Sequence, residues 1–195
     1  LNAPPTTEIY TVYKSSAASD VYKRQFNTLA NEYSDYGGTY DVVHHAEFLN
    51  GLLVAGKLVP SKPVKGKVVY HDSCYLGRYN QIYDSPRKVL ESIEGLELTE
   101  VEYWNKKRGL CCGAGGAQMW MEEHGEERVN NKRTLQLLNT GATTVASGCP
   151  FCMTMLTDGI KAQDKEEEIA QRDIAEILAD AIELDEVEQT PVAAE

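Results

Sequence analysis

The sequence is poor in the features that would take it into a membrane, a secreted disulfide framework or contact with nucleic acid. No apolar run approaches the ~18–20 residues that a membrane-spanning helix needs. No basic-then-apolar stretch opens the chain, so nothing reads as a secretory leader. Positive charge is scarce: 19 Lys and Arg stand against 30 Asp and Glu, for a net charge of −11. With no basic stripe, nucleic acid is disfavoured. The negative charge is uneven, since residues 164–195 carry −10 and the preceding 163 residues only −1. That acidic tail reads as a solvated face or a frayed end, with an electrostatic docking surface as the alternative. Cysteine is also scarce. There are five, an odd number, and two of them form a Cys-x-x-Cys. This argues against a disulfide framework and for metal chemistry in a reducing, cytoplasmic setting.

What is present is concentrated in one stretch, Gly109-Leu-Cys-Cys-Gly-Ala-Gly-Gly116. Cys111 and Cys112 are adjacent, and adjacent thiols rarely bridge because the disulfide would strain the peptide between them. Both can face one metal site if the backbone turns sharply, and Gly113, Gly115 and Gly116 permit that turn. Cys74 lies upstream with 36 residues between it and Cys111, and Cys149 lies downstream with 36 between it and Cys112. Cys152 closes Cys149-Pro-Phe-Cys152, in which Pro150 stiffens the turn. Thiolates are the usual protein ligands of iron–sulfur clusters. One tetrahedral zinc takes four ligands at most, so five cysteines favour a cluster over zinc with a spare cysteine or a redox dithiol.

The pattern of Cys74, the Cys111-Cys112-Gly113 motif and Cys149-x-x-Cys152 resembles the cysteine-rich CCG family. His71-Asp-Ser-Cys-Tyr-Leu-Gly-Arg78 and Ser147-Gly-Cys-Pro-Phe-Cys152 are similar to its flanking motifs. The family includes heterodisulfide reductase, the iron–sulfur subunits of glycolate and lactate oxidation, and iron–sulfur oxidoreductases associated with acyl-CoA dehydrogenases. The resemblance covers roughly Phe26 to Leu184. It implies a non-cubane 4Fe-4S cluster on Cys74, Cys111, Cys112, Cys149 and Cys152, with zinc as the alternative occupant. It implies an electron-handling subunit that works in disulfide reduction or between a flavoprotein and quinone. The implied partners are a flavoprotein dehydrogenase or electron-transfer flavoprotein and other redox subunits, with membrane association through upstream regions or partners. The competing reading is a zinc-stabilised structural domain that docks a partner through the acidic tail.

Along the chain, Ser15 to Gln25 reads as the translation of a transposase-based sequencing adaptor, so residues 1–25 are expected to be non-native. Phe26-Asn-Thr-Leu29 resembles the segment after the Cys-x-x-Cys of a first domain in two-domain relatives. Residues 26–58 are therefore expected to be the remnant of a first CCG domain, with Asp41–His44 as strand and Ala46–Ala55 as helix. Ala46-Glu-Phe-Leu49 parallels Ala175-Glu-Ile-Leu178, as a duplication would leave it. Residues 59–66 read as a linker, 67–184 as an intact domain and 185–195 as the acidic tail.

Within 67–184, strands are expected at 67–71, 97–103 and 143–147. Helices are expected over 84–93 with Ser85 as N-cap, over 116–139 with a break near Gly125, over 152–161, and over 169–184. Alternating strands and helices make this an α/β fold, a small parallel sheet flanked by helices. The cysteine groups come after strands, so they are expected at the carboxyl edge of the sheet, where such folds bind ligands.

Around the cysteines, Arg78 and the Lys106-Lys-Arg108 run can offset thiolate charge, and the Gly113–Gly116 backbone can donate to sulfur. His71 stands close enough to donate a hydrogen bond. His44, His45 and His124 read as structural, and Trp104, Met119, Trp120 and Met121 as core.

Overall fold

The computed structural model describes residues 23–121 and 127–183. The chain opens with α1 (Lys23–Asn31) and α2 (His45–Val54), then enters the sheet at β1 (Gly66–Tyr70). A π-turn at Tyr75–Tyr79 leads to α3 (Asp84–Glu91) and β2 (Leu96–Thr99). Two short 3-10 turns, Lys106–Arg108 and Gly115–Trp120, flank the adjacent cysteines. Next come α4 (Val129–Leu138), β3 (Thr144–Ser147), α5 (Pro150–Lys161), β4 (Ala170–Asp173) and α6 (Ile174–Asp180).

The four strands are parallel, in the order β2-β1-β3-β4. The chain first moves outward from β1 to β2, then returns to lay β3 on the other side of β1. The topological switch point therefore lies between β1 and β3, and the crevice beyond their carboxyl ends is where such sheets bind ligands.

Alternation along the strands divides the core into two layers. Val68, Tyr70 and Ala146 face one side, where they pack with Ala46, Val89, Leu90, Ile174, Ile177 and Leu178 of α2, α3 and α6. Val69 and Val145 face the other, against Leu137 of α4 and Met155, Leu156 and Ile160 of α5. Cys112, Cys149 and Cys152 belong to this second layer, so the cysteine site is continuous with the core.

The α4–α5 contact is close because residue 159 is glycine. A Cβ there would lie 2.1 Å from Thr134 Oγ1 and 3.0 Å from Thr134 Cβ. Gly159→Ala is expected to destabilise by ~1–3 kcal/mol, the usual cost of overpacking. Thr134→Ala should recover much of this, as a double-mutant cycle in urea would read. An unchanged unfolding midpoint for Gly159→Ala would contradict the close approach.

Four expected elements differ. No strand forms at Asp41–His44, and His44 instead caps α2, its Nδ1 accepting from Ala46 N–H at 3.1 Å. The helix at 84 begins two residues early, with Tyr83 and not Ser85 at the N-cap. The expected strand 97–103 ends at Thr99, because Glu100 turns to the Arg87 guanidinium. The closing helix over 169–184 is split: residues 170–173 pair with β3 as a fourth strand, from Thr144–Ala170 to Ser147–Asp173. A capping box then starts α6, with Asp173 Oδ1 accepting from Ala175 N–H and Glu176 reaching back to Asp173 N–H. The helix over 116–139 appears as the 3-10 turn and α4, and Gly125 and His124 lie outside the described residues. So do residues 1–22 of the expected non-native segment 1–25, Leu184 and the whole of the tail 185–195.

Candidate metal centre

Three loops at the carboxyl edge bring the cysteines together. Cys74 comes after β1 and opens the π-turn, whose Tyr75 and Tyr79 rings stack at 4.5 Å. Cys111 and Cys112 come after β2 through the Lys106–Arg108 turn. Cys149 comes after β3 as N-cap of α5, with Pro150 in its first turn and Cys152 one turn in. Among the described residues no peptide bond is cis, so Pro150 is trans.

None of the five is in a disulfide, and they form one contiguous row. Cys111 contacts Cys74 and Cys112, Cys112 contacts Cys152, and Cys152 contacts Cys149. Cys112, Cys149 and Cys152 are buried, while Cys74 and Cys111 are half-buried at the mouth. The row has a polarity. Cys111 is held well below the ordinary thiol range because Cys112 and Cys74 both donate to it. Backbone N–H groups of Gly113 and Gly115 assist, the first at 3.4 Å from Cys111 Sγ. Cys112 is pushed up to about 11, chiefly by its bond to Cys111, and Cys152 is raised by Cys112, Cys149 and burial. Gly113 makes the turn at φ 95°, where a Cβ would meet Met155 at 3.2 Å and Asn130 N at 3.3 Å.

A buried ion network ties the loops. Arg87 on α3 donates from Nη1 and Nη2 to Asp72 at 2.8 and 2.9 Å, and also binds Glu100. Asp72 Oδ2 accepts from Lys106 N–H at 2.7 Å, which fixes the loop before Cys111 to the loop before Cys74. Arg78 makes a second tie, donating from Nη2 to Gly109 O at 2.8 Å. The Lys106–Arg108 run is otherwise at the surface, with Lys106 Nζ 3.8 Å from Asp84 and Arg108 over the Tyr103 ring.

Sequence reasoning missed the buried cations. Arg133 on α4 is fully buried and donates from Nε to His71 Nδ1 at 3.1 Å. A ring nitrogen of His71 and the sulfurs of Cys112 and Cys152 lie within 4.8 Å of one another. Trp104, Trp120 and Met121 are exposed, and only Met119 of the four expected core residues packs against the second core layer.

His44 and His45 are buried beside the Cys149 loop, where a Cβ on Gly148 would touch both rings. His45 Nε2 lies 3.4 Å from Asp173. Burial first, then His45, pushes His44 down to about 3, against smaller opposite effects of Glu47 and Asp173. His44 is therefore neutral in the fold, while the unfolded chain takes up its proton near pH ~6.5. Its contribution is full above that pH and is lost as pH falls toward the folded value. Stability is expected to drop by about 2 kcal/mol between pH 7.5 and 5 through this group. His44→Asn keeps a capping side chain and should flatten that part of a urea-unfolding pH series. An equal slope in both proteins would remove His44 as its source.

Residues 68–157 match the model of the cysteine-rich domain known as CCG. Residues 68–157 therefore belong to the CCG family. The chain is 46% identical over 157 residues to a probable iron–sulfur-binding oxidoreductase of Bacillus subtilis, covering 80% of this chain and 22% of that protein. It is 46% identical over 165 residues to EtfAB:quinone oxidoreductase of Syntrophomonas wolfei, covering 81% and 23%. It is 34% identical over 145 residues to one subunit of the dihydromethanophenazine:CoB–CoM heterodisulfide reductase of Methanosarcina barkeri, covering 74% and 35%. The chain thus spans about a quarter to a third of the length of these curated relatives. The CCG match runs from Val68 in β1 to Thr157, two thirds of the way along α5, and all five cysteines fall inside it.

The donor set fits an iron–sulfur cluster. Five thiols in contact, lined by backbone N–H groups, exceed what one tetrahedral zinc uses. Among the described residues no helix is long and apolar enough to cross a membrane.

Proposed function

We propose that Cys74, Cys111, Cys112, Cys149 and Cys152 hold a non-cubane 4Fe-4S cluster, and that the protein passes electrons from an electron-transfer flavoprotein toward quinone. The observation that carries this reading is the single row of five contacting thiols at the switch point of the sheet. A bound cluster would supply one-electron storage close to the protein surface. The residues of this chain do the rest. Cys111, at the half-buried mouth, concentrates negative charge where Gly113 and Gly115 donate to it. Cys112 and Cys152 carry the site into the apolar layer and exclude water from its inner side. Arg87, Asp72 and Arg78 keep the Cys74 loop and the Cys111–Cys112 loop at fixed separation. Gly115 and Gly116, in the turn after Cys112, leave the mouth without bulky side chains.

The flavoprotein-to-quinone direction is preferred to disulfide reduction because the match to a protein named for the former is stronger, 46% against 34% identity. We also propose that α1 and α2 close a preceding copy of the domain. In support, α2 and α6 each begin with a side-chain N-cap accepting from the residue two positions on, and each continues Ala-Glu-x-Leu.

The test is anaerobic reconstitution with ferrous iron and sulfide, then metal and sulfide analysis and visible absorption. A brown protein with about four irons, and reduction by a reduced electron-transfer flavoprotein, is expected. A colourless protein holding one zinc would replace the electron-transfer reading with the structural one.

A further inference from the structure

The buried groups around Cys112 and Cys152 define what His71 can do. Its exposure is 1% and that of Arg133 is 0%. The guanidinium Nε–H of Arg133 can only donate, so His71 Nδ1 must present its lone pair. A neutral imidazole then carries its proton on Nε2. A histidine that ligates a metal normally donates its other ring N–H to an acceptor. Here the partner is a cation and a donor, so ligation through Nε2 would require an imidazolate, and Nδ1 is already taken. Neither nitrogen suits a metal, although the ring stands within 4.8 Å of two candidate ligand sulfurs.

Arg133 itself is placed by structure. Nη1 donates to Trp104 O at 2.9 Å and to Gln136 Oε1 at 3.0 Å. Nη2 is buried with no hydrogen-bond partner among the described residues. Burial lowers the guanidinium to about 10, while the negative charge of Asp72, Cys152, Glu100 and Cys112 works the other way. It remains a cation at neutral pH, and among the described residues its hydrogen bonds go to neutral groups. Arg87, by contrast, is neutralised by two carboxylates. Arg133 is thus the buried cation whose charge is left to the sulfur site.

We propose that Arg133 fixes His71 as a neutral N–H donor to the Cys112–Cys152 sulfurs, not a metal ligand, and that the Arg133 charge raises the reduction potential of the bound cluster. This rests on the iron–sulfur reading above. Both are positioning residues: they act on the cluster through its sulfurs.

The test uses the full chain reconstituted with iron and sulfide. In the parent protein, hyperfine spectroscopy with 15N-histidine should show no directly bonded histidine nitrogen. Such a coupling, lost in His71→Gln, would overturn the assignment. Potentials are then read by EPR-monitored titration at matched iron content. In Arg133→Gln the reduced-to-oxidised ratio at the parent midpoint should fall at least tenfold, about 59 mV for a one-electron couple. An unchanged midpoint would overturn the charge role. Should Arg133→Gln hold no iron, Arg133→Lys decides. It should stay within about threefold of the parent ratio, on the same scale, and a tenfold change with full iron would overturn the role of charge. A parent chain that takes up no iron and sulfide fails the cluster reading itself, a result separate from a loaded parent with unaltered variants.

Discussion

Replacing any one of the five cysteines with serine is expected to abolish the native cluster, with retained iron and sulfide falling by roughly tenfold or more at the buried positions, since even outer-shell changes at metal sites cost 10–100-fold. The loss should be most complete at Cys152 and Cys112. Cys152 is fully buried and touches both Cys112 and Cys149, and Cys112 links it to Cys111. Both are buried and interior to the row, so removing either breaks it where water has no access. Cys74 and Cys111 stand at the mouth, where water or serine oxygen can substitute with less strain, so partial or converted clusters are expected there. The measurement is iron, sulfide and visible spectrum for each variant after anaerobic reconstitution. One variant with normal iron, normal sulfide and an unchanged spectrum would contradict ligation by five thiolates. With zinc as occupant, one cysteine would be spare, and that variant would keep full metal and near-normal stability.

The placement of these cysteines was legible before the fold was known, because each group comes after a β-rich run and a parallel sheet gathers such positions at one edge. β1 and β3 were legible for the same reason: Lys67-Val-Val-Tyr70 and Thr144-Val-Ala-Ser147 are short apolar runs bounded by turns. β4 was not, since Ala170-Gln-Arg-Asp173 has no apolar alternation and is a strand only through its hydrogen bonds to β3. One signal for its end was available. Asp173 with Glu176 three residues later, ahead of an apolar run, is a capping box, and it marks a helix start inside the stripe that reads as continuous.

The buried ions were illegible for a different reason. Arg87 and Arg133 sit in helical segments where charged residues ordinarily face water, and only the tertiary fold brings Asp72 to the first and His71 to the second. Tyr70 stacks under Arg87, its ring centroid 5.2 Å from the guanidinium carbon, so even the neighbour that flags the site lies 17 residues away. The aromatic run Tyr103-Trp104 misled in the opposite sense. It has core composition, yet Trp104 is exposed and its carbonyl is the part in use, accepting from Arg133.

Arg87→Met is expected to cost about 3–5 kcal/mol of stability, the range for removing one partner of a buried pair. The Arg87 and Asp72 side chains are 6% and 4% exposed, so Asp72 would be left as a buried charge without its cation. Glu100 is more exposed and can turn to water, so it adds less. The effect should reach the cysteines. Asp72 also accepts from Lys106 N–H, and an Asp72 that moves toward solvent releases the loop that carries Cys111. Cluster loading should therefore fall along with the unfolding midpoint. Asp72→Asn in the Arg87→Met background removes the stranded charge and keeps an acceptor for Lys106 N–H. It should recover a large part of both losses, giving a coupling energy of about 1–3 kcal/mol in a double-mutant cycle. Urea unfolding and iron content of the four proteins measure this directly. Should Arg87→Met cost under about 1 kcal/mol, the scale of an exposed ion pair, the pair would be no more than a surface contact. Should the double variant lose as much iron as Arg87→Met alone, the tie through Lys106 would not be what holds the adjacent cysteines in place.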